Sequence, residues 1–582
     1  LTQPPGNRWR RVPMESPWLS PEQVLGLSVR ELALAIARRS VSAVEVLAAY
    51  RRRAEEVDGA CNCVTCFVEE AQDWAREADE HLRRTGRVLG PLHGVPCSIK
   101  DHFAMKGYPV TMGLEKLKER AKTRPTPMDS AVVIALRRAG AVPFCKTTMT
   151  QLGDTWGGGS PAYGDTLNPW NTLRTTGGSS CGEGALVGGG GSPFGIGSDV
   201  GGSVRIPAAF CGICALKPTA KRLTFNWEDG RTILNHDGDY GVLATAGPMA
   251  KRVEDIVEAV AVLWTEPLFQ LDPRVPPMPL RREIVEDTRP LRIGWYIQEF
   301  TYPLPCAAAI RAVETVKAAL EAAGHELVPF RGNAEGAVLL QDIRGCDHAL
   351  HALDNSGGKD KAKELKPQER EGNVGSYGGG PLKGERMHPD LLAAYSPPPP
   401  LAKDARGTPT KRPNTPATYQ AAVAWRDRLR DQFFRYWRGL GVDVVLSPAW
   451  PFPAPPVEEV RNAHYGGVCA ARLYNFMDCP AGVLPVTKVS AADLAEPYDP
   501  RTDDEYMARA AKAAVANSEG LPVAVQLAAP PWREELCLRA MLEVQGLLPF
   551  GARQHHALQP VPRRSPELGA RPEALPAAAS RL

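Results

Sequence analysis

The chain reads as an α/β protein: one large domain in which helices surround a sheet. Three observations predict this class. Helical periodicity and short apolar runs alternate along most of the sequence, which is the pattern of strands covered by helices. The hydrophobic fraction is 43%, that of an ordinary globular chain, and 582 residues suffice to bury a core without staples. The 54 glycines and 54 prolines are spread unevenly, so they punctuate elements and mark two low-complexity stretches.

Each element has its own signal. Residues 1 to 20 are rich in Pro and Arg and read as loose; the N-terminal segment is taken to residue 24, ahead of a domain over 25–550. Ser28-x-x-Glu31 is a capping box, followed by Leu32 and Ile36 at helical spacing. Ser42-x-x-Glu45 repeats it before Val46, Leu47 and Tyr50, so two helices joined at Ser40-Val41 are expected. Asp129 should open a helix through Val132, Val133 and Leu136, closed by Gly140 and followed by a strand at 141–144. The same unit recurs as a helix at 307–323, Gly324 and a strand at 326–330. It returns as a helix at 419–437 with a strand at 442–447, and as a strand at 521–527 with a helix at 534–547. Between these lies a Gly-, Pro- and Lys-rich stretch at about 355–416, with four prolines at 397–400, read as a disordered insertion within the domain. Residues 551–582 read as a disordered tail.

Composition excludes several function classes. With 69 basic and 66 acidic residues the net charge is +3, which gives no electrostatic footprint for nucleic acid. Arg51-Arg52-Arg53 and Arg281-Arg282 are too short to change that. No stretch approaches the roughly 20 apolar residues of a spanning helix, and no signal-peptide pattern opens the chain. The 13 cysteines are scattered, many in apolar segments, as reduced thiols used as small hydrophobes would be. Cys61-x-Cys63-x-x-Cys66 lacks a second ligand pair at zinc-site spacing, so no metal is expected. Cys211-Gly212-Ile213-Cys214 has the spacing of a redox pair but not its βαβ context.

Two motifs carry chemistry. Gly94-Val95-Pro96-Cys97-Ser98-Ile99-Lys100 places a lysine at the end of an apolar run. Residues 177–203 begin Gly177-Gly178-Ser179-Ser180 and end Gly201-Gly202-Ser203, with two candidate serines 24 residues apart. The stretch ends without G-K-[ST] and breaks G-x-G-x-x-G spacing, so it is not a phosphate cradle, and no cofactor is called for. Its glycines let the amides of Val200, Gly201, Gly202 and Ser203 turn toward one point, an oxyanion nest. Ser203 is then the candidate nucleophile. Asp199 and Arg205 beside it read as an ion pair that fixes the loop. A serine needs a base, and Lys100 can serve only if burial lowers its proton affinity toward about 7 to 8. Taken alone, a lysine there reads first as a strand-end residue reaching toward solvent. With the second motif, Ser179 becomes a relay between Lys100 and Ser203. His102 reads as structural.

These blocks resemble the amidase signature family. The block Gly177-Gly178-Ser179-Ser180-Cys181-Gly182-Glu183-Gly184 continues to Gly201-Gly202-Ser203-Val204-Arg205-Ile206-Pro207, then Phe210-Cys211-Gly212-Ile213-Cys214 and Leu216-Lys217-Pro218-Thr219. Outer segments Leu271-Asp272-Pro273-Arg274 and Gly520-Leu521-Pro522-Val523-Ala524-Val525-Gln526, with Trp532 and Glu534-Glu535-Leu536, are similar to the animal fatty acid amide hydrolases within it. The resemblance covers about 25–335 and 415–550. It implies a twisted mixed sheet wrapped by helices, with Lys100 as base, Ser179 as shuttle and Ser203 as acylated nucleophile. It also implies a cis peptide at Gly178-Ser179, and Gly153 and Tyr302 at the substrate site. The implied activity is hydrolysis of fatty acid primary amides and N-acyl ethanolamines. Implied partners are a lipid amide substrate, a membrane surface and a second copy in a homodimer; the implied location is intracellular, on endomembranes, or else the cytoplasm. The family's anchor segment is absent or cut off in this chain, which opens on Leu1. Its membrane-binding helices should fall where 355–416 has no amphipathic stripe, and Gly157-Gly158-Gly159 stands where the family has a bulky entrance segment. Rival readings are a soluble amidase for small or aryl amides, a catalytically inactive amidase-like binding protein, and a transamidase subunit.

Overall fold

In a computed structural model of the chain, the residues described are 18–224, 226, 241–301, 303–331, 416–460, 469–502 and 505–550. The tail at 551–582 lies outside them, as does the stretch at 355–416 except Pro416, the first residue of a helix.

The centre is an 11-stranded sheet. In chain order its strands are β1 (Val64–Phe67), β2 (Pro96–Lys100), β3 (Val142–Thr147), β4 (Phe194–Asp199), β5 (Cys214–Lys217) and β6 (Thr245–Ala250). They continue as β7 (Arg292–Trp295), β8 (Glu326–Pro329), β9 (Val444–Pro448), β10 (Ala481–Lys488) and β11 (Pro522–Ala528). In space the order is β1-β3-β2-β4-β6-β5-β10-β11-β9-β7-β8. β3, β2 and β4 run parallel to one another, as do β9, β7 and β8. The remaining pairings are antiparallel, so the sheet is mixed. β2, β3, β4, β5, β6, β9 and β11 are buried along their whole length, which is why they read as apolar runs rather than as alternation.

Local signals account for the helices around this sheet. Ser28 and Ser42 each accept from the amide three residues on while Glu31 and Glu45 reach back, capping helices Val29–Ala37 and Ala43–Cys61. A third capping box, at Ser20, starts helix Pro21–Gly26 and buries Val24, so helix spans the boundary the sequence reading placed at residue 24. The helix expected from Asp129 starts at Ala131, with Ser130 at the N-cap position but making no side-chain cap bond. Asp129 instead accepts the Lys106 amide at 2.7 Å, which takes its carboxylate away from the helix end. Helices Ala307–Ala322 and Glu534–Leu547 stand where periodicity put them, and helix Pro416–Leu440 extends past both ends of its expected range. Cys61, Cys63, Cys66, Cys211 and Cys214 are free thiols. Cys61, Cys63 and Cys66 are pushed toward the neutral thiol by burial, and no described group of side chains could hold a metal. Among the described residues no helix is long and apolar enough to cross a membrane.

Candidate active site

β2 and β4 lie side by side, and their C-terminal ends bring the two motifs together. Lys100 is the last residue of β2 and is wholly buried. Its Nζ donates to Ser179 Oγ at 2.8 Å and to Ser198 Oγ at 2.8 Å. Burial disfavours the ammonium and brings Lys100 down to about 7, against the weaker opposing pull of Cys181, Asp199, Glu183 and Asp101. This is the range a general base needs near neutral pH.

Ser179 precedes helix Cys181–Gly188, and the Gly178–Ser179 peptide is cis, as the resemblance implied. The segment ahead of it folds against the same wall. The Thr150 amide donates to the Ser179 carbonyl at 3.2 Å, and Gly153 closes the short turn Gln151–Gly153 that follows, in a left-handed conformation. The Ser180 amide donates to the Ser203 carbonyl at 3.0 Å, so the two serine turns are joined through one backbone bond. Ser179 and Ser203 are both buried. Tyr302 lies outside the described residues.

The turn Val200–Gly201–Gly202–Ser203 is held from beneath by Asp199. Its carboxylate accepts the Gly202 amide at 2.8 Å and the Val204 amide at 3.2 Å. Arg205 donates to both of its oxygens at 3.0 Å, and the pair is fully buried. Burial alone would raise the Asp199 carboxyl, but the Arg205 guanidinium holds it well below the usual carboxylate range. The ion pair expected from sequence is therefore present, with added anchors: Arg205 also donates to Gln526, Asn475 and the Ala471 carbonyl. The Gly202 amide of the expected nest already donates to Asp199. The amides of Val200 and Gly201 make no hydrogen bond among the described residues. Gly202 itself sits at φ +120°, where a Cβ would lie 2.8 Å from that of Ala471.

Sequence reasoning missed Ser198, the second partner of Lys100. No spacing rule singles out this hydroxyl, which meets a lysine 98 residues away. It also missed Asn475 and Gln526, which approach Arg205 from helix Cys469–Phe476 and β11. His102 is buried with its ring 4.4 Å from that of Phe103.

Comparison with known proteins agrees with this geometry. The family model described as Amidase matches residues 45–368 and 401–538. Fatty-acid amide hydrolase 1 of Sus scrofa is 37% identical over 552 residues, covering 93% of this chain and 89% of that protein. Fatty acid amide hydrolase 1 of Caenorhabditis elegans is 34% identical, covering 89% of this chain and 88% of its own. Among solved structures, one titled fatty acid amide hydrolase superposes with a TM-score of 0.73 at 26% identity, covering 92% of this chain and 87% of that one.

Proposed function

The chain belongs to the amidase signature family of amide hydrolases, and from that premise we propose that it cleaves fatty acid amides by a Ser203–Ser179–Lys100 relay. The observation that carries the reading is the buried contact of 2.8 Å between Lys100 Nζ and Ser179 Oγ, at a lysine poised near 7.

Each residue then has a task. Neutral Lys100 keeps one N–H on Ser198 and offers its lone pair to the Ser179 hydroxyl. Ser179 passes the proton of Ser203 to that lone pair as Ser203 Oγ bonds to the amide carbon. The negative charge that develops on the carbonyl oxygen is met by the turn's amides, whose direction Asp199 and Arg205 fix in advance. When the C–N bond breaks, the proton returns through Ser179 to the leaving amine, and the acyl group stays on Ser203. A water, deprotonated by the same relay, releases the acid. Protonated Lys100 can neither accept the first proton nor start the cycle.

The substrate class rests on the apolar surroundings and on the relatives. Val200 packs against a buried cluster of Tyr296, Phe300, Phe330, Phe433 and Trp437, an apolar flank beside the turn. The two relatives above are named as fatty acid amide hydrolases. Such amides partition into bilayers, which supports a membrane surface as the place of action; the homodimer is carried by the resemblance alone. Hydrolysis of oleamide beside a short aliphatic amide, with Ser203→Ala as blank, tests the reading. Cleavage of oleamide that is lost in the variant supports it. Cleavage of the short amide alone replaces it with a small-amide hydrolase, and cleavage of neither with a binding protein.

A further inference from the structure

Directly behind Lys100, the helix that follows the relay serine buries a carboxylic side chain that the mechanism above does not use. Glu183 is wholly buried on helix Cys181–Gly188. Its Oε2 accepts from Ser98 Oγ at 2.6 Å, and its Oε1 accepts from Thr147 Oγ1 at 2.8 Å. Ser98 is two residues before Lys100 on β2, hence on the same face of that strand, and Thr147 is the register partner of Lys100 on β3. The space for the carboxylate comes from Gly195 on β4, where a Cβ would stand 1.8 Å from Glu183 Oε2. Four elements are thus shaped around one acid beneath the proposed base.

We propose that Glu183 is a positioning residue for the reaction, a buried carboxylate that sets the proton affinity of Lys100. This rests on the Ser203–Ser179–Lys100 reading. Burial pushes the Glu183 carboxyl up to about 7, while the hydroxyls of Ser98 and Thr147 and the nearby Lys100 draw it back toward the anion. An anion here favours the ammonium form of Lys100 and offsets part of the burial that disfavours it. Without it the lysine is a weaker base for the relayed proton.

Other groups share the site, and burial neutralises most of them. Cys63, Cys97 and Cys145 face the acid, and burial pushes all three toward the neutral thiol. Cys181, on the same helix, is likewise raised by burial. Asp101 lies next to Lys100 but is raised by burial, and its Oδ2 is engaged by Thr111 and Met112. Asp199 stays charged and also pulls Lys100 toward the ammonium, but it is paired with Arg205.

The test is the pH dependence of Ser203 labelling by a fluorophosphonate, which needs the base but not the natural amide. Glu183→Gln keeps the shape, and the two hydroxyls can rotate to meet its amide. The acid limb should move to lower pH by roughly one unit. Ser98→Ala, which removes one donor and leaves the acid in place, should move the limb the same way by less, and serves if Glu183→Gln does not fold. Lys100→Ala separates the two ideas. If it keeps the wild-type limb, the lysine reading has failed. If the limb is lost there but stands still in Glu183→Gln, or in Ser98→Ala where that variant serves, the role of Glu183 is overturned and the lysine reading stands.

Discussion

Replacing Lys100 with methionine should slow hydrolysis by orders of magnitude and at the same time stabilise the fold, by an amount that shrinks as pH rises. The ordinary value of a lysine is 10.5, and burial brings Lys100 to about 7. At about 1.4 kcal/mol per pH unit, that gap is worth about 5 kcal/mol against the ammonium. Below pH 7 the lysine is protonated in both states and the folded state carries the full cost. Between about 7 and 10.5 the unfolded chain binds the proton and the folded one does not, so wild-type stability rises with pH. At pH 9 the residual cost is about 2 kcal/mol, so the advantage of Lys100→Met should fall by about 3 kcal/mol between pH 6 and pH 9. Loss of the hydrogen bonds to Ser179 and Ser198 subtracts a similar amount at both pH values and leaves the difference intact. Urea unfolding of both proteins at the two pH values reads this directly. The wild-type kcat/KM should fall about tenfold per unit below pH 7, while residual activity of the variant has no such limb. A stability difference that is equal at pH 6 and pH 9 would refute the claim that Lys100 is buried as a weak base.

Three further outcomes follow from the same geometry. Arg205→Met leaves Asp199 buried without its partner and should cost about 3–5 kcal/mol, measured by thermal unfolding, with loss of the catalytic turn. Gly202→Ala forces a side chain into a left-handed site 2.8 Å from the Ala471 Cβ; kcat should drop at least tenfold while Ser179 and Lys100 stay in place, and kcat unchanged would remove the turn from the mechanism. Ser42→Ala removes a capping box far from the chemistry and should lower stability by about 1 kcal/mol with kcat/KM unchanged.

What the sequence disclosed depended on whether the cause was local. Ser28 and Ser42 bond to residues three positions on, so both helix starts were visible in the string itself. Asp129 carried the same signal and misled by two residues, because its carboxylate is drawn to the Lys106 amide 23 residues away. The strands at 142–147, 326–329, 444–448 and 522–528 lie where short apolar runs were read, but their order could not be read from the string: β2 lies between β3 and β4, a pairing fixed by tertiary packing.

The site divides in the same way. Candidate reacting residues must be particular types in particular turns, so Lys100, Ser179 and Ser203 stood out as a proposed set, and the buried strand end of Lys100 already implied a weakened proton affinity. The residues that hold them are ordinary polar side chains delivered from afar: Ser198 to Lys100, Asn475 and Gln526 to Arg205. Asp199 marks the boundary between the two kinds. Its partner Arg205 is six residues away and was foreseen, whereas its acceptance of the Gly202 amide was not. That bond has a consequence for catalysis. In the proposed mechanism, the carboxylate that occupies the Gly202 amide also holds the turn on which the other candidate donors lie. Asp199 would then take one donor from the oxyanion while fixing the turn that carries the rest. Geometry fixed before substrate arrives, more than the number of donors, is what lowers the barrier at such a site.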